Sequence, residues 1–136
     1  MFTLVDSNVI LDLVTNDAVW FDWSAEALAR AADDSILAVN PIIYAEISIG
    51  YQTIEELESL LPTRDFRRLD LPYEAAFLAG KAYLAYRRRS GKRETPLPDF
   101  YIGAHAAVAG LRLLTRDPQR YRTYFPTVTI LAPEVT

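Results

Sequence analysis

The chain has 136 residues, 51% hydrophobic and 24% charged, with no cysteine and one histidine. This is the composition of one globular domain with a real core, and it excludes a disordered segment, a disulfide framework and a thiolate metal site. A net charge of −4 excludes a grip on nucleic acid through overall charge, though not through a local basic surface.

Residues 2–5 form a short β-prone run. Asp6, Ser7 and Asn8 then supply capping groups for a helix over 9–14. A second helix is expected over 22–33, where Ala25, Leu28, Ala29 and Ala32 recur at helical spacing behind Ser24 as cap. Residues 36–39 read as a buried strand. Asn40 caps a helix that has Pro41 in its first turn and runs to Gly50. The stretch Thr53-Ile54-Glu55-Glu56 has the pattern of a capping box and opens a short helix ending before Pro62. Residues 66–69 are a third strand, placed at a sheet edge by Arg67 and Arg68.

Pro72 starts the longest helix, with Ala76, Leu78, Ala79, Ala82, Tyr83 and Tyr86 on its inner face and Arg87-Arg88-Arg89-Ser90-Gly91 as a cationic, glycine-terminated end. A polar loop follows over 92–97. Pro98 and Asp99 begin a helix to Gly110, residues 112–115 are a fourth strand, 118–124 a short helix and 128–131 a last strand. There is no internal repeat, so residues 1–136 are read as a single domain. Strands alternating with helices predict an α/β fold: a central, mostly parallel sheet of four to five strands, covered on both faces as a three-layer α/β/α sandwich. Ligand sites in such sheets lie at the carboxyl ends of strands, where strand order reverses. No basic leader opens the chain and no uncharged apolar run reaches about 18 residues, so a cytoplasmic protein that spans no membrane is expected.

Four acids interrupt apolar stretches near these boundaries: Asp6, Glu46, Asp99 and Asp117. Singly, Asp6, Asp99 and Asp117 are also what helix capping and the helix dipole would place there. Glu46 lies in mid-helix among Ile42, Ile43, Ile47 and Ile49, where no cap role exists. Gathered together, the four would repel, and the usual compensation is a hard divalent cation. Oxygen donors without cysteine favour Mg²⁺ or Mn²⁺ over Zn²⁺. Such an ion polarises a phosphoryl oxygen and supplies hydroxide for phosphodiester hydrolysis. Arg87, Arg88, Arg89, Lys92 and Arg93 form a cationic cluster before Asp99, either a solvated helix end or a rim for phosphates. Arg116 is the first choice for a substrate contact beside Asp117, with Arg120 and Arg122 as further contributors. Trp20, Phe21 and Trp23 read first as packing, with a partner or dimer contact or base stacking as alternatives, and His105 among alanines reads as packing or a satisfied polar group.

Four pieces carry a resemblance to a family: Val5-Asp6-Ser7-Asn8-Val9-Ile10, Tyr44-Ala45-Glu46, Leu97-Pro98-Asp99-Phe100-Tyr101-Ile102-Gly103-Ala104, and Leu114-Thr115-Arg116-Asp117. In order and approximate spacing the chain resembles PIN-domain ribonucleases, most closely VapC-type toxins of toxin–antitoxin pairs. The resemblance covers nearly the whole chain. It implies a PIN-like fold, Mg²⁺- or Mn²⁺-dependent endoribonuclease activity, an RNA substrate, an antitoxin that blocks the site, and a homodimer. By position it assigns the acidic, metal-binding and catalytic roles to Asp6, Glu46, Asp99 and Asp117, and supporting roles to Asn8 and Thr115. Arg116, Arg89 and Lys92 are the candidate substrate contacts. Bulky Phe100 and Tyr101 replace the small residue frequent after the third acid. Two rivals remain. An aspartyl-phosphate phosphatase would want a second acid where Asn8 stands, and a catalytically silent RNA- or protein-binding domain would not need four acids.

Overall fold

A computed structural model describes residues 1–90 and 97–134. Five strands, β1 (Phe2–Val5), β2 (Ile36–Val39), β3 (Arg67–Arg68), β4 (Arg112–Leu114) and β5 (Ile130–Leu131), form one sheet in the order β3-β2-β1-β4-β5. Every neighbouring pair is parallel, with Leu4 opposite both Ala38 and Leu113. The chain steps from β1 outward through β2 to β3, then returns past β1 to β4. Connections running in opposite directions place their crossovers on opposite faces. This explains why the central strands read as continuous apolar runs rather than alternating ones: Leu4, Val5, Ala38, Val39, Leu113 and Leu114 are all fully buried. The short Arg67–Arg68 strand lies at the edge, where exposed cations discourage further pairing.

The helices are α1 (Ser7–Val14), α2 (Phe21–Asp34), α3 (Pro41–Ser48), α4 (Ile54–Leu60), α5 (Tyr73–Ser90), α6 (Leu97–Ala109) and α7 (Gln119–Arg122). Local chemistry accounts for most of their starts. Asn40 accepts from the Ile43 N–H at 2.9 Å, with Pro41 in the first turn, and Thr53 accepts from the Glu56 N–H at 3.3 Å. Gly110, at φ +66°, ends α6 in the left-handed conformation that glycine adopts without strain.

Three expectations change. Ser24 does not cap α2; it is buried within the helix, which starts three residues earlier. The chain entering that helix is fixed by Asp17, whose Oδ1 accepts from the Val19 and Trp20 N–H groups. The third, fourth and last strands are each shorter than expected, because only residues with a ladder partner count as strand. α7 is likewise a single turn. The loop expected over 92–97 lies outside the described residues, except that Leu97 already belongs to α6.

α6 is the helix that fixes the site end of the sheet. Phe100, Ile102, Ala104 and Ala106 bury its apolar faces against the core, and Phe100 meets Tyr83, Tyr86, Tyr124 and Phe125 in ring contacts with centroids 5.4–6.4 Å apart. Gly103 allows the C-terminal segment to close on α6. A Cβ there would collide with the Phe125 ring and meet Tyr121 Cδ1 at 3.0 Å. Gly103→Ala should therefore destabilise the fold by roughly 1–3 kcal/mol, the usual cost of overpacking. Urea unfolding measures it, and a midpoint equal to wild type would contradict the close approach.

Candidate active site

The carboxyl ends of β1 and β4 part where strand order reverses, and Asp6 sits in that crevice. It is the N-cap of α1, its Oδ1 accepting from the Ser7 N–H at 2.8 Å. Its other oxygen is held by three donors: Tyr121 OH at 2.8 Å, Thr115 Oγ1 at 2.9 Å and, more loosely, Asn8 Nδ2 at 3.5 Å. Asn8 also donates to Thr115 Oγ1 at 3.2 Å and accepts from the Arg116 N–H at 3.3 Å. Thr115 Oγ1 also accepts from the Asp117 N–H at 3.1 Å, and its bonds with Asp6 and Asn8 tie the end of β4 to the start of α1. Asn8 and Thr115 thus both hydrogen-bond the Asp6 carboxylate.

The other acids come in from three elements. Glu46, half-buried on α3, accepts from Ser7 Oγ at 3.0 Å. Asp99, buried in the first turn of α6, accepts from Arg120 Nη1 at 2.6 Å. The more exposed Asp117 lies 3.2 Å from Arg120 Nε. Burial pushes the Asp6, Glu46 and Asp99 carboxyls above their ordinary values. For Asp6, the hydrogen bonds from Tyr121, Thr115 and Ser7 pull the other way. The charges of Asp6 and Asp99 push Glu46 further up, and those of Asp6 and Asp117 do so to Asp99, against the pull of Arg120. Burial and the Asp6 charge raise the Tyr121 hydroxyl well above its usual range, so it stays a donor to Asp6.

The cationic groups divide. Arg116 turns away from the acids: its Nε donates to Asp12 at 2.9 and 3.1 Å, and its guanidinium lies 5.6 Å from the Trp20 ring centroid. Asp12 is buried and also accepts from Ser24 Oγ at 2.7 Å, so this network ties α1, α2 and the end of β4 together. Arg89 is exposed at the end of α5, 5.9 Å from the Tyr124 ring centroid. Lys92 and Arg93 lie outside the described residues. His105 is buried and satisfied, its Nδ1 3.0 Å from Asn40 Nδ2. Tyr121 and Ser7 were not singled out as ligands to the acids, and Arg120 only as a neighbour of Asp117. Tyr121 is 115 positions from Asp6, and no local spacing signals that contact.

A family model, described as PIN domain, matches residues 3–126. The chain belongs to the PIN domain family. Among solved structures, this PIN domain is similar to VapBC2 from Rickettsia felis bound to a promoter DNA fragment. That match has a TM-score of 0.72 at 18% identity and covers 97% of this chain and 98% of that one. It is similar to VapBC-1 from nontypeable Haemophilus influenzae, with a TM-score of 0.70, 20% identity and coverage of 97% and 98%. It also resembles a toxin–antitoxin complex from Klebsiella pneumoniae, with a TM-score of 0.64, 21% identity and coverage of 98% and 99%. At such identities the likeness shows the fold, a parallel five-stranded sheet flanked by helices. A search of curated proteins finds no match. Among the described residues no helix is long and apolar enough to cross a membrane.

The donor chemistry of this PIN domain suits a hard divalent ion: the converging groups are carboxylates, and the only histidine is engaged elsewhere. As the side chains stand, no group of three or more acidic or histidine residues among those described is arranged to hold an ion, and Arg120 supplies the positive charge between Asp99 and Asp117. The raised value of Glu46 means that folding favours its protonated form. Its cost is therefore absent below the ordinary glutamate range of about 4.3 and grows as pH rises through the raised value. Glu46→Gln, which keeps the acceptor for Ser7, should melt roughly 2 °C above wild type at pH 7 in EDTA, the gap closing by about pH 4. Equal melting at pH 7 would show that the carboxylate carries no such cost.

Proposed function

We propose that this PIN domain is a metal-dependent endoribonuclease that hydrolyses RNA phosphodiester bonds. What supports this reading is that the acids share partners: Ser7 donates to both Asp6 and Glu46, and Arg120 contacts both Asp99 and Asp117. Asp6, Asp99 and Asp117, with Glu46, would hold Mg²⁺ or Mn²⁺. Bound there, such an ion would polarise a phosphoryl oxygen and lower the pKa of the attacking water.

The chain's own groups have definable tasks in that reaction. Tyr121, Thr115 and Asn8 saturate one oxygen of Asp6 and fix the plane of its carboxylate, so its ligating geometry is set before metal arrives. Ser7 performs the same service for Glu46, whose longer side chain reaches from α3 to ligate or to orient water. Arg89, over the Tyr124 ring, offers a cation and an aromatic face beside the acids for the RNA strand. Arg116 and Lys92 remain candidate substrate contacts, Arg116 through whatever part of its guanidinium Asp12 leaves open.

The similar structures include complexes of toxins with their antitoxins. That supports the reading of this chain as the toxin of such a pair, held by a cognate antitoxin, acting as a homodimer in the cytoplasm and inhibiting translation by cutting tRNA, rRNA or mRNA. A second reading, a catalytically silent PIN-like domain that binds RNA or protein, draws on one observation. Asp99 and Asp117 are already charge-compensated from within the chain.

Two measurements separate them. Asp6→Asn keeps the size of the side chain and should reduce RNA cleavage at least about a hundredfold while leaving the circular dichroism spectrum unchanged. Metal-dependent turnover retained in that variant would remove Asp6 from the site. EDTA should abolish cleavage by wild type and Mg²⁺ or Mn²⁺ restore it, whereas cleavage indifferent to chelator would point to different chemistry.

A further inference from the structure

Arg120 engages two of the four acids at once. Its Nη1 donates to Asp99 Oδ2 at 2.6 Å, and its Nε lies 3.2 Å from Asp117 Oδ2. The Asp99 side chain is 8% exposed and that of Arg120 41%, so the guanidinium reaches inward from solvent to a buried partner. The place it fills is the place a cation shared by these two carboxylates would need. An octahedral Mg²⁺ requires oxygens at about 2.1 Å, which a guanidinium bonded between the same oxygens prevents. An ion that takes Asp99 Oδ2 and Asp117 Oδ2 therefore competes with the guanidinium.

Arg120 also has somewhere to go. With Arg89, Phe100, Gln119, Thr123 and Tyr124 it lines an open cleft of about 400 Å³ next to the acids. That cleft combines a cationic rim with aromatic walls, as a nucleotide of a single strand requires: phosphate to guanidinium, base to ring. A partly exposed arginine loses little by moving from two carboxylates to a phosphate, since each partner satisfies its planar fork of donors.

We propose that Arg120 is an internal counter-cation that yields Asp99 and Asp117 to a divalent ion and moves its guanidinium into the cleft it shares with Arg89, where it binds an RNA phosphate. This inference rests on the metal-dependent reading of the site. It makes metal and RNA partners in one equilibrium. Arg120 opposes metal while RNA is absent, and each ligand then strengthens the other by the same factor. In the metal-free protein the same residue prevents Asp99 from being left buried and unpaired.

The test is a calorimetric Mn²⁺ titration of the full chain, of Arg120→Ala and of Arg120→Gln, the last retaining bulk should the alanine variant fold poorly. Both neutral variants should bind Mn²⁺ roughly tenfold more tightly than wild type, and Arg120→Lys should fall between. A 2′-O-methyl RNA oligonucleotide, verified by gel to stay intact through the titration, is titrated with and without Mn²⁺. Wild type should bind it several-fold more tightly with Mn²⁺, and the neutral variants should lose that dependence. Equal or weaker Mn²⁺ binding by the variants overturns the exchange, and if wild type still cleaves RNA only with metal, the nuclease reading stands without it. Tighter Mn²⁺ binding with an unchanged RNA dependence overturns the movement into the cleft. If none of the proteins binds Mn²⁺, the exchange and the nuclease reading fail together.

Discussion

Carboxylates brought within one another's field repel, and burial strips away the water that would screen them. The end of the sheet where β1 and β4 separate therefore has to provide compensation, and it does so differently for each acid. Asp6, the most enclosed, is neutralised by hydrogen bonds: a helix N-terminal N–H on one oxygen and the Tyr121, Thr115 and Asn8 donors on the other. Asp99 and Asp117 share the charge of Arg120. Glu46 accepts from the Ser7 hydroxyl, feels the Arg120 charge and keeps part of its exposure to solvent. The arrangement leaves a group of oxygen donors still short of positive charge.

The scaffold serves that group by rigidity. The strand order puts β1 and β4 side by side with their carboxyl ends at the reversal point, so Asp6 and Thr115 come from adjacent strands rather than mobile loops. The Asp6 N–H donates to the Leu114 C=O at 2.9 Å, which locks the register of the two ends. Behind them the buried Asp12, bonded to Ser24 and Arg116, fastens α2 to the same corner, and Trp20 covers the guanidinium. On the other side the contact allowed by Gly103 brings Tyr121 down to Asp6. These are positioning devices, and each depends on a contact between elements far apart in the chain.

Much of the molecule was legible before folding was considered. Caps at Asp6, Asn40 and Thr53, the proline at the start of α3 and the glycine after α6 are short-range signals, and the helices begin and end beside them. The edge position of the strand with Arg67 and Arg68 followed from its charges. His105 was legible as a satisfied interior residue. Local pattern misled at Ser24, a good capping residue by type that the fold buries as a hydrogen-bond donor to Asp12. Nor does local pattern tell which arginine faces the acids. Arg116 precedes Asp117 directly, yet adjacent residues on a chain leaving a strand point in different directions, and the side chain beside Asp99 is that of Arg120.

By itself the sequence determined the alternation of strands and helices and the presence of acids at their boundaries, because hydrophobic period, capping and turn chemistry act over a few residues. Only the tertiary structure decided that Ser7 serves both Asp6 and Glu46, that Tyr121 and Thr115 hold Asp6, and that Arg120 rather than Arg116 compensates Asp99 and Asp117. Such contacts join residues up to 115 positions apart, and their geometry is set by strand order and helix packing. No local pattern encodes the direction in which a side chain will point once distant elements meet.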